Sequence, residues 1–207
     1  MCDDRFDIEK LHNNFQASLK DSDDILLDCY LEGFKELYKF FQLMGSVFGF
    51  VSSDVKSKIE ILESLRRKEN EKEFESFASM IEYEKSTGLL SKSDYVSGSR
   101  TLLRLHRGLA FIREFLHRLS MIEPNERTHS ICQTAYNETL AQHHPWLIRK
   151  GAMVAMYAMP TREQLLNRVC ADVDRAISVL PDVLGISKVV FDRTEELYAV
   201  HELHSLP

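Results

Sequence analysis

Three short polar clusters stand out in an apolar, helix-rich chain: DVKSK from Asp54 to Lys58, RTLLRLHRG from Arg100 to Gly108, and HHPWLIRK from His143 to Lys150. None has the pattern of an activated nucleophile, a metal cage or a phosphate-cradling glycine loop. They supply fixed positive charge at Lys58, Arg100 and Arg104, a carboxylate at Asp54 and an imidazole at His144. Such a set suits an anionic headgroup with hydroxyl or amide groups beside it. Guanidinium forks match phosphate oxygens, and a carboxylate accepts from N–H and O–H donors. The Leu, Ile, Val, Phe and Met around the clusters would house an apolar tail. This is the chemistry of binding an amphiphile, with no catalytic residue, metal or cofactor expected.

Each cluster also has a plainer reading. Leu102, Leu105, Leu109, Ile112, Leu116 and Leu119 recur at helical spacing and form one stripe. At 100° per residue, Arg100, Arg104 and Arg107 fall within about 60° of one another on the other side, shared by Phe111 and Phe115. A solvated basic face and an anion site both fit that stripe. Against plain solvation, like charges four apart repel, and no acid lies between Arg100 and Arg113 to offset them. Asp54 and Lys58 form an i,i+4 pair that, if merely exposed, is worth about 0.3–0.5 kcal/mol. His143-His144-Pro145 reads as a helix stop; as metal ligands the two histidines lack a nearby acid or cysteine at ligand spacing. Trp146, followed by Arg149 and Lys150, suits a surface that docks transiently on a membrane interface.

The elements that must position these groups are helices. Only 8 glycines and 5 prolines in 207 residues leave little room for a turn-rich β architecture. The 44% hydrophobic content supports a sizeable core in one domain spanning residues 1–207. Helical segments are expected over Phe6–Leu19, from Asp23 or Asp24 through Phe41, and from Ser52, Ser53 or Asp54 through Leu65. Others follow over Glu73–Lys85, from Ser97 to near Pro124, over Arg127–Gln142 and over Trp146–Met159. A short one restarts at Thr161, and the last spans Asp182–Glu202. About eight helices in a layered bundle result, with no repeat and no strand alternation. The apolar run MGSVFGFV reads as buried or cavity-lining, and RRKENEKE as a solvated turn and helix start.

Net charge is −6, so no global field draws the chain to nucleic acid. Cys2, Cys29, Cys132 and Cys170 are scattered and read as free thiols of a reducing compartment. MCDDRFDIEK lacks the features of a signal peptide, and no run reaches the roughly 20 apolar residues of a membrane span. A monomer in the cytoplasm is the expectation.

On these residues the chain resembles the glycolipid transfer protein superfamily. The resemblance rests on FQLMGSVFGFVSSDVKSKIEIL, SRTLLRLHRGLAFIREFL, AYNETLAQHHPWLIRKGAMVAMYAMPTREQLL and the final LYAVHELHSLP, and it covers nearly the whole length. It implies an all-α two-layer sandwich enclosing one lipid, without enzymatic activity. Lys58 and Arg100 stand where the glycolipid-binding branch has an asparagine and a tryptophan sugar platform, so the implied cargo is ceramide 1-phosphate. By the same resemblance Asp54 would accept from the ceramide amide and hydroxyl, and Lys58, Arg100 and Arg104 would hold the phosphate. His144 would donate to the acyl-amide carbonyl. Phe40, Phe48, Phe50, Val51, Ile112 and Ala152 would line the chain pocket. His143 departs from the tyrosine expected at its position, and residues 69–98 match poorly. A phosphosphingolipid sensor that acts through a protein partner without bulk transfer is the alternative.

Overall fold

The computed structural model describes residues 5–20, 23–45, 48–67 and 71–206. Among them run nine α-helices: α1 (Ile8–Ser18), α2 (Leu27–Leu43), α3 (Gly49–Arg66), α4 (Phe77–Ser86), α5 (Gly98–Met121), α6 (His129–Glu138), α7 (Trp146–Met156), α8 (Arg162–Val169) and α9 (Val173–Val200). Extended backbone makes only isolated bridges among the described residues. The fold is an all-α two-layer sandwich. Packing closes a ring in which α1 meets α2, α2 meets α3, α3 meets α5, α5 meets α9 and α9 returns to α1. The first two helices approach closely because Gly33 has no side chain: a Cβ there would lie 2.6 Å from the Phe15 ring. No helix of the described residues is long and apolar enough to cross a membrane.

The leucine stripe read from sequence is the buried seam of α5, with Leu102, Leu105, Leu109 and Leu119 each about 1% exposed or less. Its first turn is fixed by Glu84 of α4, whose side chain is fully buried. That carboxylate accepts from Gly98 N at 2.6 Å, Ser99 N at 2.9 Å, Ser97 Oγ at 2.7 Å and the Tyr95 hydroxyl at 3.0 Å. Two of these donors are amides that a helix start leaves without intrahelical partners, so the negative charge sits where the helix dipole favours it. Burial, then the charge of Glu84, pushes the Tyr95 phenol up and keeps it a neutral donor. From α9, the Tyr198 hydroxyl donates to Ser99 O at 2.6 Å.

Several boundaries differ from the sequence reading: the second helix starts at Leu27 after Leu26 and not at Asp23 or Asp24, and the helix from Trp146 ends at Met156 and not at Met159. The third helix starts at Gly49, before the serines expected to open it. The segment expected as one helix over Glu73–Lys85 is a 3-10 turn, Glu71–Phe74, followed by α4. Ser76 and Ser79 form a reciprocal capping box there and restart the chain. The sixth helix stops at Glu138, and a 3-10 turn (Ala141–His143) follows. The last helix begins at Val173 and runs through Pro181, nine residues before the expected start. Asp172 caps it by accepting from Arg175 N at 2.9 Å. Cys29, Cys132 and Cys170 are free thiols. Cys2, Ser46 and Val47 of the apolar run, and Lys68–Asn70 of the charged run lie outside the described residues.

The Glu84 cap gives a direct test. Glu84→Gln keeps the volume but removes the charge and turns an amide N–H₂ toward donors. We expect a loss of about 3 kcal/mol. For a chain of this size that lowers the thermal midpoint by roughly 6–12 °C. A midpoint within 2 °C of wild type would show that the cap does not govern the start of α5.

Candidate functional site

The site assembles from α3, α5 and the turn between α6 and α7. Asp54 and Lys58 pair directly on α3, but unequally: the Asp54 side chain is 63% exposed and that of Lys58 only 12%. Lys58 is therefore far less solvated than a plain surface ion pair requires. Arg104 is exposed on α5, with no ion pair among the described residues. Arg100, one turn earlier on the same face, is half-buried; its Nη2 donates to Leu90 O, and its Nε is buried without a partner.

His144 is delivered by chain geometry. It precedes Pro145, and a residue before proline is driven out of the helical region. Its φ of −108° and ψ of 140° follow that restriction and separate the Ala141–His143 turn from α7. Its Nδ1 lies 2.8 Å from the Tyr136 hydroxyl of α6. Burial raises the Tyr136 pKa, so the hydroxyl is neutral, and it has no other acceptor among the described residues. Donation from the hydroxyl to Nδ1 would put the imidazole proton on Nε2. The His144 pKa is lowered, chiefly by burial and further by Lys58, against the opposing charge of Asp54. His143 is likewise lowered, by burial, then by Arg107 and His144. Thus Asp54, Lys58 and His144 share one field, and His143 joins it to Arg107 of α5.

The His144 ring also lines an apolar cavity, together with Phe48, Phe50, Val51, Phe111, Tyr136, Leu140, Ala152, Ala155 and Met156. Four of the six residues expected to line a chain pocket are in that wall: Phe48, Phe50, Val51 and Ala152. Phe40 and Ile112 are instead in the surrounding core, 2% and 3% exposed. Sequence reasoning did not single out Tyr136, Leu140, Ala155 or Met156. Phe111 carried a signal, since it shares the arginine side of α5. Volume is about 30 Å³, room for little more than a water molecule.

Outside this wall the surface is greasy. Trp146 is 63% exposed and Leu147 72%, and Ile148, Val154 and Tyr157 are also exposed. Phe50, expected to line the chain pocket, is half exposed and stands at the cavity wall and the surface at once. Arg149 and Lys150 flank the patch; the Lys150 ammonium lies 5.9 Å from the Trp146 ring centroid. No group of three or more His, Cys, Asp or Glu among the described residues is arranged to hold a metal.

A two-layer all-helical sandwich with cations beside an apolar cavity defines a lipid-binding class of fold. Within it, residues 25–171 match the model of the glycolipid transfer protein family. The chain belongs to that family. It is 40% identical to the ceramide-1-phosphate transfer protein of Danio rerio over 99% of both chains. The apo form of the mouse ceramide-1-phosphate transfer protein superposes with a TM-score of 0.92, at 36% identity, over 98% of this chain and all of that one. The human ceramide-1-phosphate transfer protein in complex with 12:0 ceramide-1-phosphate gives 0.89 at 33% identity, with the same coverage.

Proposed function

We propose that this chain carries ceramide 1-phosphate between membranes, as a monomer that touches each membrane only transiently. One observation bears most of the weight: His144 belongs both to the wall of an apolar cavity and to the field of Asp54 and Lys58. Head site and tail pocket therefore meet at one side chain, as a ligand with a polar end and an apolar end requires. The full-length relatives named for ceramide 1-phosphate, one of them holding it, support the choice of cargo.

In this reading Lys58, Arg100 and Arg104 hold the phosphate, whose charge of about −1.5 to −2 at neutral pH needs more than one cation. Asp54 accepts from the amide and hydroxyl of the sphingoid base, and the Nε2–H of His144 donates to the acyl carbonyl. The chains enter between Phe48, Phe50 and Val51 on one side and Ala152 and Met156 on the other. Because that space is so small when empty, α3 and α7 must separate to admit them. Each CH₂ kept out of water lowers the free energy by about 0.8 kcal/mol, which is what drives the opening. No bond changes, so binding and release suffice. Trp146, Leu147 and Ile148, with Arg149 and Lys150, dock the mouth on the membrane. The protein works in the cytoplasm in this account.

Arg104→Leu should cut ceramide 1-phosphate transfer between two vesicle populations about ten- to a hundredfold, the usual cost of losing a charged hydrogen-bond partner. Since Arg104 is exposed, its far-ultraviolet circular dichroism should match wild type. A well-folded variant with wild-type transfer would remove Arg104 from the headgroup site. Wild type that binds the lipid yet moves none of it would favour a sensor over a carrier.

Trp146 emission should shift when vesicles lacking sphingolipid are added. Trp146→Ala should weaken vesicle binding by about tenfold, the order expected for one large apolar side chain. Unchanged binding would place the docking surface elsewhere.

A further inference from the structure

The phosphate reading above engages three cations, and α5 carries a fourth. Arg107 follows Arg104 by three residues, on the same face of the helix. It is half-buried and takes part in no ion pair among the described residues. Its one hydrogen bond there runs from Nη2 to the backbone carbonyl of His204, at 2.9 Å. A neutral carbonyl orients a guanidinium without cancelling its charge.

The carbonyl is itself anchored. The His204 ring lies 2.9 Å from Glu195 Oε1, and the other oxygen of Glu195 takes His106 Nε2 at 2.6 Å. His106 is buried and stacks on Phe191 at 4.3 Å. The Glu195 carboxylate is thus taken up by two imidazoles. Burial and the charge of Arg104 both disfavour the Arg107 cation, and an anion beside it would relieve both effects. The field of Arg107 reaches His143, whose neighbour His144 lines the cavity. That puts Arg107 near the polar end of the site, not on a remote surface.

We propose that Arg107 is a further headgroup-recognition residue, held by the His204 carbonyl so that its guanidinium adds a fourth cationic contact to the phosphate beside Arg104. This rests on the phosphate-carrier reading and sharpens it: a doubly ionised phosphomonoester is favoured, and an uncharged headgroup gains nothing from Arg107. The C-terminal turn thereby becomes part of the specificity apparatus.

A merely structural clamp would behave differently, and the test is built on that difference. Purified full chain would be titrated with vesicles containing either 12:0 ceramide 1-phosphate or 12:0 ceramide, which has the same chains and no phosphate. Arg107→Gln should weaken binding of the phosphorylated lipid by about tenfold and leave ceramide unchanged. Arg107→Lys, which keeps the charge but loses the fork, should recover most of that loss. Equal weakening for both lipids would reduce Arg107 to a clamp for the C-terminal turn, and no weakening for either would remove it from the site. Wild type that shows no preference for ceramide 1-phosphate over ceramide would overturn the phosphate reading itself, and this inference with it.

Discussion

Fixing one helix start against unpaired charge is the constraint on which the site depends. The cationic face of α5 has no acid between Arg100 and Arg113, so its repulsion there has to be held in place by contacts at the start of the helix. At the start, Glu84 takes two free amide donors, a serine and a tyrosine in one buried carboxylate. Tyr198 adds a bond from α9 to Ser99 O. With the first turn so fixed, the leucine seam and the arginine face cannot exchange places. The same helix then carries charge at Arg100, Arg104 and Arg107 and an aromatic wall at Phe111. In the proposed binding mode, polar head and apolar tail would be sorted along this one helix.

The other half of the site comes from a break, not from a helix. Pro145 forces His144 out of helical geometry, and the Tyr136 hydroxyl then holds its ring at Nδ1. The turn brings His144 to Asp54 and Lys58 of α3, which are remote in sequence. The empty cavity of about 30 Å³ is walled by the rings of Phe48, Phe50, Phe111, Tyr136 and His144 and by aliphatic side chains. Exposed Trp146, Leu147 and Ile148 carry a cost in water that a membrane surface would remove.

Much of this was legible in the sequence, and the misses have physical causes. Helical periodicity alone identified the two faces of α5, because burial follows the 3.6-residue repeat. Motif resemblance fixed the family and four of the cavity residues. What could not be read is long-range or depends on competing local signals. The last helix was expected to begin at Asp182, yet Asp172 caps a helix that passes through Pro181. Thr139 to Gln142 were expected to continue the helix, but the chain tightens into a 3-10 turn over Ala141–His143 before Pro145. Nothing in the local sequence marks Glu84, and only the fold reveals that it meets residues 11 to 15 positions later. The His106–Glu195–His204 cluster joins residues about 90 positions apart, and nothing in local spacing announces it.

The central claim is that a phosphate, not a sugar, selects the cargo. The most direct measurement offers the purified chain ceramide 1-phosphate and galactosylceramide with identical acyl chains, in equal amounts in one vesicle population. Native mass spectrometry then weighs the complex that forms. The account predicts one added mass, that of a single ceramide 1-phosphate per chain, because an uncharged sugar would leave the desolvated cations unpaired. Galactosylceramide bound as often as ceramide 1-phosphate, or more often, would contradict it.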